Sequence, residues 1–316
     1  MPTPEAHALL SASASHRWLN CPPSARLEER FPETTSEYAE AGRVAHSIAE
    51  LKARKHFVEP MPARTFNARL KKWKEDPNYD KGMDGSTDAY LDYLKELAMS
   101  FGGAAPFVTL ENRVDYSDYA PEAFGTADCI MIGSGQMCVI DYKNGAGVPV
   151  DAVRNPQMML YALGALKLYA PIYGGSIRNI HLAIVQPNAG GVKEWDLTRD
   201  ELEEWGETVV KPTAALAFAG GGDYAPGEWC RFCRARAQCS ARARKMLELE
   251  PMKGAAPAAA LPDGWAETIQ ANGGKGPFGT ECNPILTDAQ VGEILTKARD
   301  MKAWVKDLED YALEAC

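Results

Sequence analysis

Apolar and polar positions along the chain fall into blocks whose period changes from helical to strand-like and back. A start broken by Pro22, Pro23 and Pro32 gives way to helix before residue 60, and residues 62–75 form a basic segment. Residues 86–99 carry Leu91, Leu94 and Leu97 at helical spacing, which predicts an amphipathic helix closed by Gly102-Gly103. Alternation then takes over. Strands are predicted at about 106–115, 125–132 and 137–143, with Gly133-Ser134-Gly135 as the hairpin turn between the last two. Residues 156–170 read as a helix with proline in its first turn, 179–185 as a strand, and 191–195 as a further strand. Thr198-Arg199-Asp200-Glu201 is a capping-box signature opening a helix to about residue 219. The predicted class is α/β, a central mixed β-sheet flanked by helices, with a C-terminal helical extension.

No apolar period survives the prolines and small residues of 251–262, so that stretch reads as a linker. Beyond it a helix carries Ile294, Leu295, Trp304, Leu308 and Tyr311, which leaves docking on the core, self-association or a protein partner open. The predicted organisation is a main domain at 1–248, a linker at 249–285 and a helical segment at 286–316. A chain of 316 residues has room for this. No apolar run is long enough to span a bilayer, and residues 1–19 lack the basic start and apolar core of an export signal. The expected setting is cytoplasmic, without a membrane role, where a disulfide framework explains cysteines poorly.

Chemistry enters at the hairpin. Asp141 and Lys143 alternate around Tyr142 and so share a face, and antiparallel pairing would bring Asp128 to the same sheet end. Carboxylates are the ligands that Mg²⁺ or Mn²⁺ prefer, and a lysine beside them can orient an attacking water or offset phosphate charge. That combination suits phosphodiester hydrolysis. For an isolated D-x-K, the plainer alternative is a turn-capping Asp and a solvated Lys. Gln157 and Tyr161 stack on one helical face at four-residue spacing, His46 lies in a helical segment, and Glu111 on the preceding strand is a possible additional carboxylate.

These pieces, in this order, resemble the RecB-type branch of the PD-(D/E)XK nuclease superfamily. Its pattern is G-x-x-x-H, G-x-x-D, D-x-K and Q-x-x-x-Y. The chain supplies Gly42/His46, Gly125/Asp128, Asp141/Lys143 and Gln157/Tyr161. The resemblance implies a restriction-endonuclease-like core. It makes His46, Asp128, Asp141 and the backbone carbonyl of Tyr142 metal ligands, and gives Lys143 the nucleophilic water. Gln157 and Tyr161 would contact substrate or buttress the site.

The cysteines add a second centre. Cys230-x2-Cys233-x5-Cys239 is a metal-ligand spacing that needs a fourth thiolate, and Cys21 before Pro22 is the candidate. Ser13-x-Ser15 followed by an aromatic residue and Cys21-Pro22 resembles the N-terminal segment of the iron-sulfur members of that superfamily, found in helicase-nucleases and CRISPR-associated exonucleases. The resemblance implies a [4Fe-4S] cluster on Cys21, Cys230, Cys233 and Cys239. Zn²⁺ on the same sulfurs is the alternative. Cys129 and Cys138 read as buried strand residues.

The net charge of −9 argues at first against a polyanionic partner, but phosphate contact is made by patches. Arg231, Arg234 and Arg236 lie in a stretch without acids, and Lys71, Lys72 and Trp73 combine cations with an aromatic ring, as suits single-stranded DNA. The resulting expectation is a metal-dependent, single-strand-preferring DNA exonuclease used in recombination or DNA-end processing, with a phage or prophage setting. A catalytically inactive DNA-binding or assembly module, or a zinc-binding protein, is the competing expectation.

Overall fold

The computed structural model describes residues 8–32, 37–247 and 288–315. The predicted linker 249–285 lies outside them. The chain divides into two units, Met1–Tyr224 and Ala225–Cys316.

The first unit is built on one mixed sheet. Its strands are β1 (Phe107–Asp115), β2 (Phe124–Gly133), β3 (Gln136–Tyr142), β4 (Asn179–Gln186) and β5 (Gly191–Thr198), in that spatial order. Neighbours are antiparallel except β3 and β4. A parallel pair needs a crossover, and α6 (Pro156–Tyr173) is part of the connection between them. Asn155 fixes where α6 begins, its side chain accepting from the N–H groups of Gln157 (3.1 Å) and Met158 (3.3 Å) with Pro156 at the first position.

The sheet is covered on both faces. One core joins Ile130, Ile132, Met137, Val139 and Leu182 to α6, to α1 (Ser15–Asn20) and to α8 (Lys211–Ala219). The other joins Cys129, Met131, Cys138, Ile140 and Tyr142 to α3 (Glu37–Phe57) and α5 (Gly82–Ser100). Cys129 and Cys138 are fully buried strand residues, and burial pushes the Cys138 thiol up to about 12. Helix α3 presents Val44, Ala45, Ile48 and Ala49 inward and follows the dipole rule, with Glu37 and Glu40 in its first turn and Arg54 and Lys55 in its last. The basic segment forms α4 (Ala63–Lys74), and a short α2 (Ser24–Glu28) follows α1.

The helix predicted to run unbroken to about 219 is interrupted. The Thr198 capping box opens α7 (Arg199–Trp205), and a π-turn at Gly206–Val210 separates it from α8. Pro212 has no N–H to give the carbonyl four residues back, and the Lys211 N–H reaches Gly206 instead.

The second unit contains a 3₁₀ turn (Glu228–Phe232), α9 (Ser240–Leu247) and α10 (Asp288–Ala315). Trp304 is buried on α10, and Asp307 accepts from Arg236 (3.0 Å) and Arg242 (2.6 Å). No helix among the described residues is long and apolar enough to cross a membrane.

Candidate metal centre

Regular alternation along the sheet slips at one place. On β2, Cys129 and Met131 join the α3–α5 core, whereas Ala127, which alternation would put beside them, joins the α6 core. Across from the slip, Leu110 pairs with Cys129 and Asn112 with Ala127, so Glu111 stands opposite Asp128. Glu111 has a φ of 49°. Positive φ is uncommon for a residue with a Cβ and costs of order 1–3 kcal/mol, a strain that functional sites tend to hold.

Helix α3 delivers His46 to this point. One ligand atom each from His46, Glu111 and Asp128 lie within 4.8 Å of one another, and among the described residues this is the one such group of histidine, cysteine or carboxylate side chains. His46 Nδ1 is 3.4 Å from Asp128 Oδ2, which also accepts the Tyr142 N–H at 2.7 Å. Tyr142 turns its ring into the α3–α5 core, 5.3 Å from the His46 ring, and shares a 2.6 Å hydrogen bond with Ser86.

A second group continues from β3. Continuing the β2–β3 register from the Cys129–Ile140 pair sets Asp141 opposite Asp128. Asp141 is 3% exposed. Lys143 Nζ lies 3.0 Å from Asp141 Oδ2 and 3.4 Å from Gln157 Oε1. Gln157 Nε2 donates to Asp141 Oδ1 at 3.2 Å and to the Tyr161 hydroxyl at 3.1 Å. Alternation therefore brings Asp141 and Lys143 together and sends the Tyr142 side chain the other way.

The electrostatics describe a site overloaded with carboxylates. Burial pushes Glu111 up to about 8, with Asp128, Glu50 and Asp141 adding to the rise and His46 opposing it. Burial also lifts Asp141 above the usual carboxylate range; Lys143 pulls against the shift and Asp128 reinforces it. Asp128 is held low despite burial, because His46, the Tyr142 N–H and Lys143 favour its charged form. Burial alone would lower His46, yet Asp128, and to a lesser degree Asp141, raise it to about 9. Lys143 is likewise raised against its burial by Asp141 and Asp128.

One buried oxygen, Asp141 Oδ2, has no hydrogen bond, since the nearby ammonium is out of line. Oxygen donors, a single imidazole and a surplus of negative charge fit a hard divalent cation. Sequence reasoning did not single out Glu50. It lies one turn beyond His46 and, paired with Arg54, reads as an ordinary helix-surface salt bridge.

The other candidate residues fall elsewhere. Lys71 and Lys72 are exposed on α4, while Trp73 is half-buried against the α3–α5 core. Arg231 lies 5.6 Å from the Phe232 ring, and Arg234 is half-buried. Arg236 is paired with Asp307, so the stretch that lacks acids in sequence acquires one in the fold. Cys21 is buried at the end of α1 in the first unit. Cys230, Cys233 and Cys239 belong to the second, where Gly227 N–H points at Cys230 Sγ (3.4 Å) and Cys233 N–H bonds Cys230 O (3.1 Å).

A sequence profile described as "Protein of unknown function (DUF2800)" matches residues 7–316. The chain belongs to the DUF2800 family. Among solved structures, this DUF2800 member is similar to one titled "Crystal structure of SSO0001", at 15% identity over 70% of this chain and 95% of that one, with a TM-score of 0.27. An overlap that loose fixes the position of no residue.

Proposed function

We propose that this chain is a metal-dependent deoxyribonuclease that prefers single strands and degrades them from an end, in DNA-end processing or recombination. The observation that carries the reading is the convergence of His46, Glu111 and Asp128 within 4.8 Å beside the Asp141–Lys143–Gln157 network.

His46, Glu111 and Asp128 would hold Mg²⁺ or Mn²⁺, with Asp141 and the Tyr142 carbonyl completing the set. Such an ion, when bound, supplies Lewis-acid polarisation of a phosphoryl oxygen and a bound water of lowered pKa. The protein's own groups do the rest. Lys143 is kept charged by Asp141 and stands where it can orient a water or offset charge on the phosphate. Gln157 locks both Asp141 and Lys143, and Tyr161 locks Gln157.

The same reading gives Cys21, Cys230, Cys233 and Cys239 a structural [4Fe-4S] cluster. The Gly227 N–H directed at Cys230 Sγ fits that role, since backbone hydrogen bonds to the sulfurs tune such clusters. Brown, anaerobically purified protein containing iron and sulfide is expected; colourless protein carrying stoichiometric zinc would replace the cluster with a zinc site.

The deciding experiment for catalysis uses fluorescently labelled single-stranded DNA with Mn²⁺ or Mg²⁺ against an EDTA control. Cleavage should require the metal, and Asp141→Asn or Lys143→Ala should reduce it at least about 100-fold, the lower bound for a positioned acid–base group. Wild-type protein without metal-dependent cleavage, or variants cutting at the wild-type rate, would remove the assignment.

A further inference from the structure

We infer that the outer face of α4 is the track along which the phosphate backbone of a nucleic-acid strand is held on its way to the His46 site, an inference that rests on the nuclease reading. Helix α4 has five basic residues and no acid, in a chain whose net charge is −9. Phe66, Leu70 and Trp73, at helical spacing, are half-buried and seat the helix. Arg64, Lys71 and Lys72 lie exposed on the other side, and Arg69 is exposed at its edge, beside the seated face. Lys74 is taken by Asp84 and Lys71 approaches Glu75 at 3.6 Å, but among the described residues Arg64, Arg69 and Lys72 form no ion pair. Cations left without carboxylates in an acidic protein are groups whose counter-charge comes from outside.

The helix is also aimed. Lys55, near the end of α3, lies 4.1 Å from the Phe66 ring in the first half of α4, while Arg43, three residues before His46, lies 3.6 Å from Asp76 just after α4 ends. The two helices therefore run antiparallel, and the Lys71–Lys72 end of the basic face is next to the helix turn that carries His46. From Arg64 to Lys72 the helix spans about 12 Å at 1.5 Å per residue. That matches roughly three to four phosphates at about 3.4 Å each along a stacked strand. On α3, Gly42, one turn before His46, leaves open space where a side chain would stand. Trp73 is turned inward, so contact is with phosphates rather than bases, which makes the holding indifferent to sequence and sensitive to salt.

The test is the salt dependence of binding of labelled oligo-dT to full-length protein in EDTA, with cleavage measured separately in Mn²⁺. Arg64→Ala/Arg69→Ala/Lys72→Ala should flatten the slope of log K against log salt by about 2, at about 0.7 for each phosphate no longer neutralised. The equally charge-depleted control Arg178→Ala/Lys193→Ala/Lys211→Ala, exposed elsewhere on the unit, should keep the wild-type slope. If the α4 variant keeps that slope while wild-type protein cuts DNA, the track is wrong and the nuclease reading survives. Flattening in a protein that does not cut supports the track and removes the catalysis. Protein that neither binds nor cuts overturns both. Poly-glutamate bound with the same affinity and the same dependence on α4 would hand the face to an acidic protein partner and overturn the proposal.

Discussion

A Cβ placed on Gly125 would stand 2.6 Å from Cε1 of Tyr161. The glycine on β2 thus sets the position of a tyrosine on α6, Tyr161 holds Gln157, and Gln157 holds Asp141. Two motif residues that look independent in sequence form one contact.

Gly125→Ala should therefore destabilise the first unit by about 1–3 kcal/mol, the usual cost of overpacking. Adding Tyr161→Ala to it should cost less than the sum of the two single changes, because removing the ring removes the clash that the new methyl group creates. Urea unfolding of the four proteins in the cycle measures the coupling; strict additivity would mean that the contact sets nothing.

Metal binding should be visible without any substrate. Mn²⁺ at about 100 times its dissociation constant should stabilise the wild-type fold by about 2.7 kcal/mol, and the shift should vanish in His46→Ala and Glu111→Gln. Differential scanning calorimetry reads this directly. An equal Mn²⁺ shift in Glu111→Gln would take Glu111 out of the ligand set.

The metal-free protein should lose stability as pH rises. His46 keeps its proton to about 9 in the fold against 6.5 ordinarily, so its contribution is complete below 6.5 and is lost as pH climbs through about 9. Glu111, raised from 4.5 to about 8, takes up a proton on folding and acts in the same direction between those values. Asp128, held low, adds stability above its unfolded value that is lost only in acid. In EDTA the Tm should fall between pH 4.5 and 9, and Glu111→Gln should flatten the lower part of that fall. With Mn²⁺ the trend should reverse, because ligands bind metal in their deprotonated forms. A flat profile in EDTA would contradict both shifts.

In the second unit, Asp307→Ala leaves the buried Arg242 without its carboxylate. Removing one partner of a largely buried pair costs about 3 kcal/mol. Hydrogen exchange in 288–315 should accelerate selectively, with the sheet of the first unit unaffected.

Much of this arrangement is legible in the chain because it depends on local periods. β1, β2 and β3 fall within one residue of the predicted strands at each end. The pairing of Asp141 with Lys143 needs only two-residue alternation, and that of Gln157 with Tyr161 only a helical turn. Glu111 could be named as an extra carboxylate but not ranked. Its position in the closest trio depends on a positive φ and on a slip of β2 that no residue type announces. The inward turn of Trp73 and the Asp307 partner of Arg236 depend on tertiary neighbours, the second of them 71 residues away. The π-turn ahead of Pro212 was in principle readable, since a proline inside a helical pattern forces some accommodation.

Tyr142 gives its backbone N–H to Asp128 while its hydroxyl is tied to Ser86 on α5 and its ring packs 5.1 Å from Tyr90. The acid beside His46 and the interior of the fold therefore have no independent freedom to drift. A lineage that reshapes the interior at Ser86 or Tyr90 also re-aims Asp128, so thermal hardening of this half of the molecule and retention of its chemistry must be selected together.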